Sequence, residues 1–210
     1  MLLHELNAPG VDDYLIHYLS SLGISSLTDI QQKAITSGIA NGSSMIICAP
    51  TSAGKTLVGE IAVLSKLRKG QRAIWLVSHK ALADQKYEDF AKRYGENSEK
   101  PIATVGLSTG DRDEGEYNSQ LLVATYEKAL GLIVSEQINP KQALIVADEL
   151  QILGDLTRGP NIESLCAILK QQNVEQFVAL TATINNPEDL ANWLACDPVV
   201  SYTRDVVLKQ

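Results

Sequence analysis

Cysteine, positive charge and long apolar runs are all scarce in this chain, and each scarcity excludes something. Its three cysteines, Cys48, Cys166 and Cys196, have neither C-x-x-C spacing nor a nearby histidine. A disulfide framework or a zinc site is therefore not expected, and they read as buried thiols of a reducing compartment. Basic residues are outnumbered, 18 Lys and Arg against 25 Asp and Glu, for a net charge of −7. That balance argues against broad attraction to nucleic acid or anionic membrane but leaves room for a local phosphate-binding groove. No apolar stretch approaches a membrane span, and the opening MLLHELNAPG places an acid and a histidine where a signal peptide needs a long apolar region. The expectation is a soluble protein with no membrane partner, cytoplasmic or nucleoid-associated, or nuclear in a eukaryote. Internal repeats and low-complexity tracts are also lacking.

What is there is enough for one substantial core: 210 residues, 45% of them hydrophobic and 20% charged. SSMIICA, RAIWLVS, PIATVGL, QLLVAT, QALIVAD and EQFVALTAT are short, aliphatic and bounded by turn formers, as strands buried on both faces would be. Helical patterns lie between several of them: GKTLVGEIAVLSKLRK, ALADQKYEDFAKRYG and NIESLCAILKQQ. NNPEDLANWLA adds another, opened by an N-cap and a proline at its first helical position. The alternation predicts an α/β fold, a predominantly parallel sheet with helices on both faces. Ahead of it, Val11, Tyr14, Leu15, Tyr18, Leu19 and Leu22 form an apolar stripe at helical spacing that ends at Gly23. Glu96 to Lys100 and GDRDEGEYNS read as mobile loops, each too short for a domain linker.

The segment Ala49-Pro50-Thr51-Ser52-Ala53-Gly54-Lys55-Thr56 fits a G-x-x-x-x-G-K-[ST] phosphate loop except that Ala49 replaces the first glycine. It runs from a predicted strand into a predicted helix, which aims backbone N–H groups and a helix N-terminus at phosphate. Gly54 permits close approach, Lys55 reaches the β- and γ-phosphates, and the Thr56 hydroxyl can ligate Mg²⁺. A second part is required to hold the metal and orient water, and ALIVADELQ supplies it with Asp148 and Glu149 at the end of another predicted strand. Asp148 would serve Mg²⁺ and Glu149 would take the proton of the attacking water. The competing reading is that the two acids only start a turn or cap a helix.

TDIQQKAI, APTSAGKT, SHKALADQKYEDF, LSTGD, ATYEKA, DELQ, Arg158-Gly159 and LTATINNPEDLANWL follow one another as in the first RecA-like domain of superfamily 2 helicases. The chain most resembles their Ski-like DExH branch, over roughly residues 10 to 205. Ala or Gly opens the phosphate loop in that family, so Ala49 does not count against the site. The resemblance implies a RecA-like P-loop domain over 28–210, with 1–27 as a helical extension packed on it. It also implies ATP and Mg²⁺ as ligands, and Pro50, Thr51, Ser52, Ala53, Gly54, Lys55 and Thr56 as the phosphate cradle. Gln31 matches the glutamine that reads adenine, although Thr28-x-x-Gln31 has the spacing of a capping box. Ser78 to Leu82, including His79 and Lys80, then Ser108, Thr109 and Gly110, Thr125 to Lys128, and Arg158 match segments that hold one strand of DNA or RNA. Hydroxyls and backbone N–H groups there can grip phosphate without a large basic surface. The alternatives are that the hydroxyls are helix caps and that Arg158 is only solvated.

Two substitutions and one length difference depart from the resemblance. Gln151 stands where this branch usually has His, and Thr181 where Ser is commoner. With Ala182 and Thr183 these positions are expected to couple the ATP site to the strand, through a hydrogen bond from Gln151 to Thr181 or Thr183, unless they only satisfy local backbone. The second RecA-like domain, with its arginine finger, would follow YTRDVVLKQ. The expectation is therefore the N-terminal motor half of an ATP-dependent DNA helicase or translocase. The same branch also contains RNA helicases, a single-domain nucleotide-regulated binding module is a reading of a different class, and a P-loop kinase leaves the later motifs unexplained.

Overall fold

The structure is a computed structural model, and it describes residues 2–99 and 101–202. Lys100, at the end of the first predicted loop, and the last eight residues of the predicted domain lie outside the described residues. The elements run α1 (Asp13–Ser21), α2 (Asp29–Thr36), β1 (Met45–Cys48), α3 (Lys55–Leu67), β2 (Arg72–Val77), α4 (Lys80–Tyr94), β3 (Val105–Ser108) and β4 (Asp113–Glu114). They continue as β5 (Leu121–Thr125), α5 (Tyr126–Val134), β6 (Ala143–Ala147), α6 (Gly159–Gln171), β7 (Gln176–Thr181), α7 (Pro187–Leu194) and β8 (Asp197–Val200). The eight strands form one sheet in the order β4-β3-β5-β2-β6-β7-β1-β8, and only β3 and β4 pair antiparallel.

The aliphatic runs sit on both faces of this sheet because alternate side chains point to opposite sides. Ile47, Trp75, Val77, Val123 and Val146 pack in one core with α1 to α4, whereas Ile46, Ile74, Leu76, Leu122 and Ile145 pack in the other with α5 to α7. Leu15 and Leu19 of α1 belong to the first core. Trp75 is fully buried and meets Phe90 of α4 edge-on at 5.2 Å, a pairing worth about 1 kcal/mol beyond its buried area.

Some elements differ from the sequence expectation. The run PIATVGL becomes a strand only from Val105, because its partner β5 begins opposite at Leu121. The predicted mobile loop GDRDEGEYNS contains β4, tied back to β3 by ladder bonds and by Ser108 Oγ donating to Asp113 Oδ1 at 2.6 Å. In a parallel sheet all carboxyl ends reach one edge, where ligands of open α/β folds bind. The register aligns Cys48 with Thr181, and Leu76 with both Ala147 and Ala124. The segments after β1, β2, β5, β6 and β7 therefore meet along that edge.

Candidate nucleotide site and nucleic-acid interface

After β1 the chain turns through Pro50 and a 3-10 turn, Thr51–Ala53, to Gly54, which opens α3 with φ +82°. A β-carbon on Gly54 would lie 2.3 Å from Gln31 Nε2, so conformation and space both require glycine. Ala49 has an ordinary negative φ, which is why a methyl group is tolerated at the first loop position. Gly54 gives α3 no side-chain cap, so the first N–H groups of that helix face outward as an anion site. Thr51 and Ser52 are exposed, Ala53 is buried, and Thr56 lies in the first helical turn.

The Lys55 ammonium is folded back onto the loop, donating to the carbonyls of Ala49 at 2.7 Å and Pro50 at 2.9 Å. Burial pulls it below the ordinary lysine range, and the negative charges of Asp148 and Glu149 push back. It is thus held by neutral acceptors that a phosphate can replace. Gln31 does two things at once. Its Oε1 accepts from Thr28 N–H at 3.0 Å, closing the capping box, and its Nε2 donates to the Gly54 carbonyl at 3.1 Å.

Asp148 and Glu149 follow β6 directly. Asp148 N–H donates to the Leu76 carbonyl at 2.9 Å, its Oδ1 accepts from Glu149 N–H at 3.0 Å, and its carbonyl accepts from the buried Tyr126 hydroxyl at 2.7 Å. Burial raises the Asp148 carboxyl above its usual range, against the pull of Lys86 and with the push of Glu149. Lys86 itself is buried, 4.9 Å from the centre of the Trp75 ring and 3.9 Å from Glu60 Oε1. Nothing in the spacing of the sequence pointed to this cation behind the acid pair. Glu149 takes a left-handed backbone, φ +56°, and opens a 3-10 turn, Leu150–Gly154.

A groove of about 760 Å³ lies beside this site, lined by His79, Lys80, Gly110, Thr125, Lys128 and Arg158 among others. The structure thus brings these six residues together from the segments assigned to the strand. Ser108 and Thr109 are not among its lining residues: both are buried, Ser108 bonded to Asp113 and Thr109 bonded through its hydroxyl to the Arg112 backbone. Every cation of the groove has an acidic partner. Lys80 pairs with Asp111, Lys128 with Asp113 at 3.2 Å, and Arg158 holds Glu127 by two bonds of 2.7 and 3.0 Å. Arg158 is therefore ion-paired rather than merely solvated. The pairing role of these acids was missed in the sequence, where the crowding of acids in TGDRDEGE was the available signal for Asp111 and Asp113.

Gln151 does bridge to the segment after β7, but through the backbone. Its Oε1 accepts from Ala182 N–H at 2.9 Å, not from the Thr181 or Thr183 hydroxyl. The reason is geometric: Thr181 is still inside the strand and fully buried, whereas the Ala182 N–H lies just past the end of the ladder. Among the described residues the Thr181 hydroxyl has no hydrogen-bond partner. Among the described residues no helix is long and apolar enough to cross a membrane.

Residues 28–190 match the family of DEAD/DEAH box helicases. Among curated relatives, the ATP-dependent DNA helicase Hel308 of Methanocaldococcus jannaschii is 37% identical over 94% of the chain, and that of Methanocella arvoryzae is 36% identical over 100% of it. The chain spans 17% and 29% of the length of these two relatives. The fold is similar to that of the helicase MrfA bound to DNA, with a TM-score of 0.72 at 21% identity, covering 90% of this chain and 29% of that one. It is also similar to S. cerevisiae Dbp5 bound to RNA and ADP BeF3, with a TM-score of 0.71 at 20% identity, covering 91% of this chain and 50% of that one. With a family match over most of its length and a RecA-like helicase fold, this chain belongs to the DEAD/DEAH box helicases.

Proposed function

We propose that this chain is the N-terminal ATP-binding half of an ATP-dependent DNA helicase or translocase of the Ski-like DExH branch, acting with a second RecA-like domain. The observation that carries the reading is the shared sheet edge: the phosphate loop after β1 and the acid pair after β6 lie beside a groove lined by His79, Lys80, Gly110, Thr125, Lys128 and Arg158. DNA is preferred over RNA because the relatives at 36 to 37% identity are named as DNA helicases.

In this reading the α3 N-terminus and Lys55 bind the triphosphate, Lys55 exchanging two loop carbonyls for phosphate oxygens. Gln31 presents its remaining amide hydrogen and lone pair toward adenine while its other atoms fix Gly54. Thr56 and Asp148 offer one hydroxyl and one carboxylate, the hard oxygen donors that suit Mg²⁺, and when bound the ion neutralises charge on the β- and γ-phosphates. Glu149 accepts the proton of the attacking water. Lys80, Lys128, Arg158 and the N–H groups near His79 and Thr125 hold strand phosphates, and the role of Ser108 and Thr109 is to shape the turn that presents Gly110. Gln151, Thr181, Ala182 and Thr183 link the two sites. Because its contacts are to phosphate, strand binding by the isolated domain is weak, salt-sensitive and nearly indifferent to base sequence.

Calorimetric titration with Mg-ATP tests the reading. Lys55→Ala should weaken binding at least tenfold, because charge-assisted bonds to phosphate are worth about 1.5–3 kcal/mol each, while Glu149→Gln should stay within about threefold of the parent. Equal affinity in Lys55→Ala and the parent would remove the phosphate-loop assignment.

A further inference from the structure

One contact crosses from the groove to the ATP site. Ser78 stands just after β2, next to the segment after β6, because β2 and β6 are neighbours in the sheet. Its side chain is almost fully buried, and its hydroxyl donates to Glu149 Oε2. The same oxygen lies 2.8 Å from His79 Nδ1. A serine hydroxyl has one hydrogen, and Glu149 takes it, so the His79 contact requires Nδ1–H to donate to Ser78 Oγ. The chain His79 to Ser78 to Glu149 thus runs from a groove-lining imidazole to the carboxylate assigned to the attacking water. Ser78 also lines the groove.

The geometry points to Ser78 as a positioning residue that ties Glu149 to the occupancy of the groove: strand phosphate and the Glu149 carboxylate compete for one hydroxyl. With the groove empty, the bond occupies one oxygen of Glu149 and fixes its side chain toward β2. A phosphate oxygen at Ser78 takes the donor, and Glu149 is released to turn toward the nucleotide. The contact is direct and needs no movement of the sheet. The link from Gln151 to Ala182 lies on the other side of β6, against β7, so it is a separate connection. The inference rests on the proposed strand-binding role of the groove, and it adds a residue that carries the message.

Competition for one donor makes Glu149 and Ser78 non-additive in strand binding, which is measurable without turnover. The measurement is fluorescence anisotropy of a labelled oligothymidylate on the 210-residue chain, its Ser78→Ala and Glu149→Ala variants and the double variant. Glu149→Ala frees the hydroxyl and removes a negative charge, and only the second effect survives in the Ser78→Ala background. The expected result is a gain in affinity from Glu149→Ala at least threefold larger with Ser78 than without it. Ser78→Thr, which keeps the hydroxyl, should restore the difference. Equal gains in both backgrounds overturn the inference while leaving strand binding intact. Where a variant does not fold, the parent chain answers the same question: the ¹³C resonance of the Glu149 carboxylate should move as oligothymidylate saturates the groove, and a resonance that stays still at saturation overturns it. Failure of the parent chain to bind the oligonucleotide at all would instead refute the strand-binding role of the groove, and the inference with it.

Discussion

Replacing Glu127 by Gln should strengthen single-strand binding although the residue lies inside the segment Thr125 to Lys128 that is assigned to the strand. Arg158 grips Glu127 with Nε to Oε1 at 2.7 Å and Nη2 to Oε2 at 3.0 Å, so the side-on edge of its guanidinium is occupied. Burial resists the charge on Glu127, but the two Arg158 bonds outweigh it and hold the carboxyl below its ordinary range. The side chains are 33% and 39% exposed, and a pair in such contact with water is worth at most about 1 kcal/mol. A strand phosphate must displace the carboxylate to use that side-on edge of Arg158. Removing the competitor therefore returns up to about 1 kcal/mol to binding, roughly a fivefold gain in affinity. One more neutralised phosphate also steepens the dependence of log K on log salt by about 0.7 for a single strand. The assay is anisotropy of a labelled oligothymidylate from about 50 to 200 mM salt, with Arg158→Ala as the opposing variant. Folding stability should change by less than about 1 kcal/mol. An unchanged or weaker affinity for Glu127→Gln, or an unaltered salt slope, would refute the idea that this acid masks a strand contact.

The other predictions read out on stability and nucleotide. Gly59→Ala on α3 places a β-carbon 2.7 Å from the buried Trp75 ring; overpacking of about 1–3 kcal/mol against a helix-propensity gain of about 1 should lower stability by roughly 1 kcal/mol in urea unfolding. Asp148→Asn should raise the unliganded Tm at pH 7 and weaken Mg-ATP binding. The sign follows from its raised pKa: folding favours the protonated acid, so that stability is present below the ordinary carboxylate pKa and lost as pH rises through the folded value. The Tm advantage should therefore fade near pH 4, and a lower Tm at pH 7 would contradict it. Asp155 accepts from the N–H groups of Thr157 and Arg158 and from the Thr157 hydroxyl, which lowers its carboxyl to about 2. Amide protection at Thr157 and Arg158 should persist above the ordinary carboxylate pKa and be lost as pH falls toward 2, as read by hydrogen exchange.

The strands after which the site residues fall were legible because each is an aliphatic run with turn formers at its ends, and a strand buried on both faces needs that composition. α5 was not, because it starts at Tyr126 with no residue between it and β5, so QLLVATYEKALGLIV reads as one apolar stretch. β8 is an edge strand of sequence DPVV with two exposed residues, and short edge strands carry little apolar signal. The phosphate loop and the acid pair were legible as local spacings tied to a strand end. The acids that neutralise Lys80, Lys128 and Arg158, the Lys86 cation behind Asp148, and the bond between Ser78 and Glu149 are created by strand order. β2 lies between β5 and β6 although both follow it in sequence, and no periodicity encodes that neighbourhood.

The position of the triphosphate is the most direct test, and a crystal structure of this chain with Mg²⁺ and a non-hydrolysable ATP analogue reads it. The predicted result is a triphosphate on the N-terminus of α3, the Lys55 ammonium moved from the Ala49 and Pro50 carbonyls to phosphate oxygens, and density for Mg²⁺ between Thr56 and Asp148. An analogue bound elsewhere, or Lys55 still on its two carbonyls beside a bound triphosphate, would contradict it.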